Sequence, residues 1–204
     1  MKIGIIVGSH RKESESARVG QYLAARLQDI QPGTGIYNLV LAHTDLPFWD
    51  EGRWGKPSDV DWGAVWKPIS IELAACDGFI VISPEYAGMV PARLKNLFLH
   101  IDGGEMTHKP GMIVGVSSSR GGAYPIAELR ASSYKNAQLN WTPEHIIVRD
   151  APKMLHNDSP AGDDDAYLRK RIDYALKILL EYAKALKNVR DSGVVDRKAY
   201  PFGM

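Results

Sequence analysis

Short apolar runs alternate along the chain with segments whose apolar residues recur at helical spacing. Lys2–Val7, rich in isoleucine, predicts a buried strand, and Gly8–Ser14 is a polar loop. Ser16–Ile30 follows as a helix with Val19, Leu23 and Leu27 on one face. Thr34–Val40 reads as a second strand, Trp62–Ala75 as helical in part, with Ile69, Leu73 and Ala74, Gly78–Ser83 as a third strand and Gly111–Ser117 as a fourth. Ala123–Gln138 predicts a helix, Glu144–Val148 a fifth strand, and Asp164–Lys187 a long closing helix with Leu168, Ile172, Leu176 and Leu179 on one side. Leu41–Asp61 interrupts this rhythm as a polar and aromatic excursion, and Val189–Met204 shows little periodicity.

Continuously apolar strands separated by helices are the pattern of a parallel sheet covered on both faces. Five such strands suit a doubly wound α/β fold of order 2-1-3-4-5, expected as one domain over residues 1–188 with a tail at 189–204. In such sheets a ligand lies beyond the carboxyl ends of the strands, where the strand order reverses. The loops after the first, third and fourth strands are therefore expected to converge.

Composition narrows the class. Over 204 residues, 25 Lys and Arg against 24 Asp and Glu leave a formal charge of +1, which argues against a charge-driven nucleic-acid binder. No apolar run approaches the roughly 18 residues of a membrane span, and the opening MKIGIIVGSH is too short for a signal-peptide core. The single cysteine, Cys76, excludes an internal disulfide framework, and the six histidines show no metal-binding spacing. The expectation is a soluble, cytoplasmic protein without a resident metal.

The three loops carry the unusual residues. In the first, GSHRKESES, the backbone turns from a buried strand into a helix whose unpaired N–H groups make an anion site, and Ser9, Ser14, Ser16 and Arg11 can add donors. Equally, Ser14 or Ser16 is an ordinary N-cap and Arg11 a solvated charge. The loop is neither GxxxxGK[ST] nor GxGxxG, which counts against a nucleoside triphosphatase and a dinucleotide fold of the standard kind. The second, SPEYAGMVPARLKN, leaves Glu85–Val90 exposed around Tyr86 before a helix begins at Pro91. Its backbone N–H groups can face a planar ligand, whereas a plain reading packs Tyr86 on its own chain and leaves Lys95 as a solvated helix charge. The third, SSSRGGA, ends a strand in hydroxyls and glycines, and its plain reading is a flexible turn.

Together GSHRKES with Ser16, SPEYAGMVPARLKN and SSSRGGAYPIAELR resemble, in order over roughly residues 2–150, the NADPH-dependent FMN reductase family, which includes quinone, chromate and azo-dye reductases. The middle segment, of the type SPEYNxxxPxxLKN, is the most specific. The resemblance implies a flavodoxin-like fold, non-covalent FMN, NADPH or NADH as hydride donor, a small-molecule acceptor, and a homodimer or homotetramer. It places Ser9, Arg11, Ser14 and Ser16 at the FMN phosphate, Pro84, Glu85, Tyr86, Ala87 and Gly88 along the flavin ring, and Ser117 and Gly121 on its far side. Ala87 and Ser16 stand where the family commonly has asparagine.

In this reading the flavin carries the redox chemistry and no side chain need act as an acid or base, so no catalytic residue is named. A flavin-binding electron carrier or sensor without nicotinamide turnover is the alternative. A nucleotide-handling transferase or hydrolase would rest on Glu85 as its only obvious base. Leu46, Pro47, Phe48, Trp49 and Trp54, followed by Trp62 and Trp66, are more large apolar side chains than a solvated connection carries, and the expectation is a subunit interface instead of a lid on the same chain.

Overall fold

In the computed structural model, which describes residues 1–156 and 158–203, five parallel strands form one sheet of order β2-β1-β3-β4-β5. These are β1 (Lys2–Val7), β2 (Gly35–Val40), β3 (Gly78–Pro84), β4 (Pro110–Val116) and β5 (Asn140–Val148). The helices are α1 (Glu15–Ile30), α2 (Trp62–Ala74), α3 (Ala92–His100), α4 (Ala123–Ser132), α5 (Tyr134–Ala137) and α6 (Asp163–Asp191). The strand order is the one the sequence pattern predicts.

Side-chain alternation divides the core into two layers. Ile3, Ile5, Ile80, Ile82 and Val114 face Val19, Leu23 and Leu27 of α1 and Ile172, Leu176 and Leu179 of α6. Ile6, Phe79, Val81 and Ile113 face the other way, toward Trp62, Trp66 and Leu73 of α2, Leu94 and Leu97 of α3, and Leu129 of α4. Each inner strand is buried on both faces, which is why its sequence is apolar throughout. Among the described residues no helix is long and apolar enough to cross a membrane.

Three elements depart from expectation by more than one residue. The helix expected over 123–138 breaks after Ser132, because Leu129 O accepts from Ser133 N, Ser133 Oγ and Trp141 Nε1 at 3.2, 2.7 and 3.1 Å, and Ser132 Oγ bonds back to Glu128 O. β5 starts at Asn140, not Glu144; its polar and proline-bearing beginning is tolerated because β5 is an edge strand with an irregular register between Gly111 and Ile113. α6 runs to Asp191, past Lys187, with its last turn held by Lys187 to Asp191 and by Arg190 Nη1 to His108 O at 3.0 Å. Pro68 sits inside α2 without ending it.

The excursion from Leu41 to Asp61 lies along α3. Arg93 Nη1 donates to Leu41 O at 2.8 Å, and the buried Asn96 donates to Pro47 O and accepts from Trp49 N, both at 2.8 Å. Trp62 and Trp66 are buried around His100, so the ring-rich sequence divides: those two tryptophans belong to the chain's own core, while Phe48 and Trp54 remain 75% and 65% exposed.

Candidate functional site

The loops after β1, β3 and β4 meet at the carboxyl edge of the sheet, and specific bonds tie them together. Gly8 begins the first loop with its N–H on Ile82 O at 2.8 Å; a Cβ there would lie 2.6 Å from Leu94 Cδ2 and 2.9 Å from Ile82 O, so the close approach of β1 to β3 requires glycine. Ser9 is fully buried, and its Oγ lies 2.9 Å from Tyr86 Oη while accepting from Arg11 N at 3.1 Å. The His10 and Tyr86 rings stand 4.9 Å apart. Tyr86 thus packs on the first loop, and Ser9 joins two loops.

Ser14 caps α1, accepting from Ala17 N at 3.2 Å through Oγ, and retains its own O–H for donation. Ser16 is only 2% exposed, yet its hydroxyl bonds no protein group among the described residues. The N–H groups of Lys12, Glu13, Ser14, Glu15 and Ser16 likewise lack acceptors there, leaving the positive end of α1 unsatisfied.

The second loop is a tight hairpin. Tyr86 N bonds Met89 O at 3.1 Å and Met89 N bonds Tyr86 O at 2.9 Å, with Ala87 at φ 50° and Gly88 at φ 75°. Positive φ at both central positions defines a type I′ turn, which Asn-Gly fits better than Ala-Gly. Ala87 therefore carries backbone strain that asparagine would lessen. Pro84 ends β3 buried, and Glu85 turns back into the protein, donating its N–H to Val116 O at 2.9 Å and accepting Gly122 N at 2.6 Å on Oε2. A Cβ on Gly121 would come within 2.7 Å of the same carboxylate, and Gly122 holds φ 104°, so both glycines are required by packing. The Glu85 charge sits at the start of α4, where the helix dipole favours it, and acts as a clamp between loops.

In the third loop Ser117 Oγ accepts from Ser119 N at 3.2 Å, and Ser117 N and O bond Val148 O and Ala151 N. Lys95 is not a free charge: its Nζ meets Glu128 Oε1 at 2.5 Å, and Glu128 Oε2 accepts Val90 N at 2.8 Å. Burial alone would raise the Glu128 carboxyl, but the Lys95 and Val90 hydrogen bonds outweigh it and hold the group below its ordinary range. Glu128 escapes notice in the sequence, and Gly8, His10 and Gly122 read only as members of their loops, because their roles come from contacts between loops distant along the chain.

The arginines separate by place. Arg18, Arg26, Arg53, Arg169 and Arg190 pair with carboxylates, Arg93, Arg130 and Arg197 donate to carbonyls, and Arg171 lies over the Tyr174 ring. Among the described residues, Arg11 and Arg120 have no partner for their guanidinium groups, and Arg149 uses only Nε, to Arg120 O. All three stand at the carboxyl edge.

The donor set fits FMN. Ser14 and Ser16 hydroxyls, open N–H groups and an unpaired arginine surround a helix N-terminus, which suits a terminal phosphate. The Tyr86 turn and the Glu85-clamped glycine loop offer open backbone N–H groups beside it for a planar ring.

A doubly wound sheet of this order defines the flavodoxin-like class of proteins. Within it, the profile of the NADPH-dependent FMN reductase family matches residues 1–150, and the chain belongs to that family. It is 25% identical over 188 residues to an NADPH azoreductase of Bacillus sp. (strain OY1-2), covering 92% of this chain and 97% of that one. It is 27% identical over 184 residues to a 2-hydroxy-1,4-benzoquinone reductase of Burkholderia sp, covering 85% and 93%. Solved structures share the fold: an oxidoreductase from Corynebacterium diphtheriae has TM-score 0.70 at 15% identity, and the flavoenzyme NAD(P)H:(acceptor) oxidoreductase FerB from Paracoccus denitrificans 0.68 at 20%, each covering 90% of this chain and 97% of the other.

Proposed function

We propose that the protein is an NAD(P)H-dependent FMN reductase that delivers electrons to a quinone, azo compound or similar small acceptor. The observation that carries this is the undischarged donor set at the carboxyl edge, set between a tight aromatic turn and a clamped glycine loop, in a chain of this family. When bound, FMN would supply the redox chemistry that links a nicotinamide donor to the acceptor. The chain's part is binding and orientation. Ser14, Ser16, Arg11 and the α1 N-terminus hold the phosphate. Ser9 fixes Tyr86, and Glu85 fixes the β4–α4 loop, so the walls of the ring site move little. Pro84, Ala87, Gly88, Ser117 and Gly121 supply backbone at the ring.

A homo-oligomer is part of the proposal. The exposed Phe48, Trp54 and Leu99 and a groove of about 380 Å³ lined by Trp49, Phe98 and Phe202 form an apolar surface beside α3 that a second copy would cover. Light scattering at micromolar concentration checks it: a dimer weakened by Trp49→Ala with Trp54→Ala is expected, and a fully active monomer contradicts it.

The functional test is steady NADPH oxidation by FMN-loaded protein with a benzoquinone or an azo dye. Turnover dependent on both nucleotide and acceptor is expected. A stable flavoprotein that oxidises neither NADPH nor NADH would instead be an electron carrier.

A further inference from the structure

We propose that Arg120 and Arg149 form a binding pair for a phosphate group of the nicotinamide dinucleotide donor; this rests on the reductase reading above. Arg120 lies in the β4–α4 loop and Arg149 directly follows β5, both exposed. Arg149 Nε donates to Arg120 O at 2.8 Å, which holds the two residues side by side. Among the described residues neither guanidinium pairs with a carboxylate, including that of the adjacent Asp150, whose N–H is engaged on Ser119 O at 2.8 Å.

Two cationic side chains carried on neighbouring backbone without a carboxylate partner make this part of the edge electropositive, and an anion is attracted there. Guanidinium forks match phosphate oxygens in bidentate fashion. The platform is firm, because Glu85 holds Gly122 N and Ser117 bonds the backbone of Val148 and Ala151. The FMN phosphate region lies on the other side of the ring site, at the end of β1. With strands about 4.8 Å apart, β1 lies two spacings, about 10 Å, from β4, which leads to Arg120, and three, about 14 Å, from β5, which leads to Arg149, so the pair is set apart from the phosphate region at the end of β1. A ligand with its own phosphates, entering over the ring, is what the spacing accommodates. A dinucleotide offers two candidates, the pyrophosphate and, in NADPH, the 2′-phosphate.

The test compares FMN-loaded wild type with Arg120→Ala/Arg149→Ala by calorimetric binding of NADP⁺ and by KM and kcat for NADPH and NADH. At unchanged FMN content, NADP⁺ binding is expected to weaken by about tenfold or more, with KM for NADPH rising in parallel. NADH spared assigns the pair to the 2′-phosphate; NADH affected equally assigns it to the pyrophosphate. Unchanged NADP⁺ binding overturns the proposal, as does FMN loss in step with nucleotide loss. Should wild-type holoprotein oxidise neither nucleotide, the reductase reading fails, and adenosine 2′,5′-bisphosphate and inorganic pyrophosphate become the probes. Weaker binding of either by the double variant then still supports the pair, and equal or absent binding in both proteins overturns it.

Discussion

The carboxyl edge of the sheet and the α2–α3 face below it use the same kinds of residue in opposite ways. On the α2–α3 face polar groups are mostly consumed. Asn96 bonds the excursion twice, Arg53 Nη2 reaches Asp102 and His100 O, both at 3.2 Å, and His100 is buried between Trp62 and Trp66. At the carboxyl edge, the guanidinium groups of Arg11 and Arg120, the Ser16 hydroxyl and the N–H groups of residues 12–16 are left without protein partners among the described residues. Polar groups that a fold could satisfy and does not are where a ligand belongs. The scaffold beneath them is nonetheless tight, and the predictions separate scaffold from donors.

The largest effect is expected at the scaffold. A Cβ on Gly115 would run into Gly122 O, a backbone atom of the clamped loop. Gly115→Ala should cost about 3 kcal/mol of stability and lower flavin retention, because neither strand nor loop can yield. Urea unfolding checks it, and an unchanged midpoint would show the loop to be compliant.

Next, Arg11→Ala should leave stability within about 0.5 kcal/mol but weaken FMN by about 1.5–3 kcal/mol, while riboflavin, lacking the phosphate, is bound nearly as before. Equal loss for both ligands would assign Arg11 to the fold.

On the α2–α3 face the sensitive group is His100. Burial lowers its pKa from the ordinary 6.5, against the opposing hydrogen bond to Pro47 O and the charges of Asp102 and Asp50, while Arg53 adds to the lowering. Its Nδ1 is buried without a partner among the described residues, so a proton there would find no acceptor among them. The unfolded chain takes up the proton as pH falls below 6.5 and the folded chain resists, so this contribution to stability is present above 6.5 and lost below it. Unfolding midpoints at pH 7.5 and 5.5 should differ less in His100→Phe than in wild type; an equal difference would place the acid sensitivity elsewhere.

The smallest effect is a gain. Ala87→Asn should stabilise by about 0.5–1 kcal/mol, since asparagine tolerates the positive φ of the turn. A loss in thermal unfolding would mean that the new side chain clashes with the ring site.

How legible these regions were follows from the range of their contacts. β1, β3, β4, α1 and α6 announce themselves through local periodicity, because burial on both faces or on one stripe leaves its mark residue by residue. β5 is an edge strand with Pro143 inside it, so half of it carries no such mark. The break after Ser132 draws on Trp141, which reaches Leu129 O from β5 alongside the local Ser132 and Ser133 hydroxyls. In the site, loop positions and hydroxyls could be read directly, whereas the Ser9–Tyr86 and Glu85–Gly122 bonds join residues separated by most of a folding unit. The excursion was legible as unusual but not as divided: whether Trp62 or Trp54 is buried depends on α3, which the local sequence does not contain.

The central claim is that the carboxyl edge holds FMN and admits a nicotinamide donor. The most direct measurement is the visible spectrum of purified protein, loaded with FMN if necessary, before and after NADPH is added without oxygen, with the released flavin identified by chromatography. A bound FMN spectrum that bleaches with NADPH, and returns when a quinone is added, is the predicted result. FAD in place of FMN, no flavin retained after loading, or a bound flavin that neither NADPH nor NADH bleaches would contradict it.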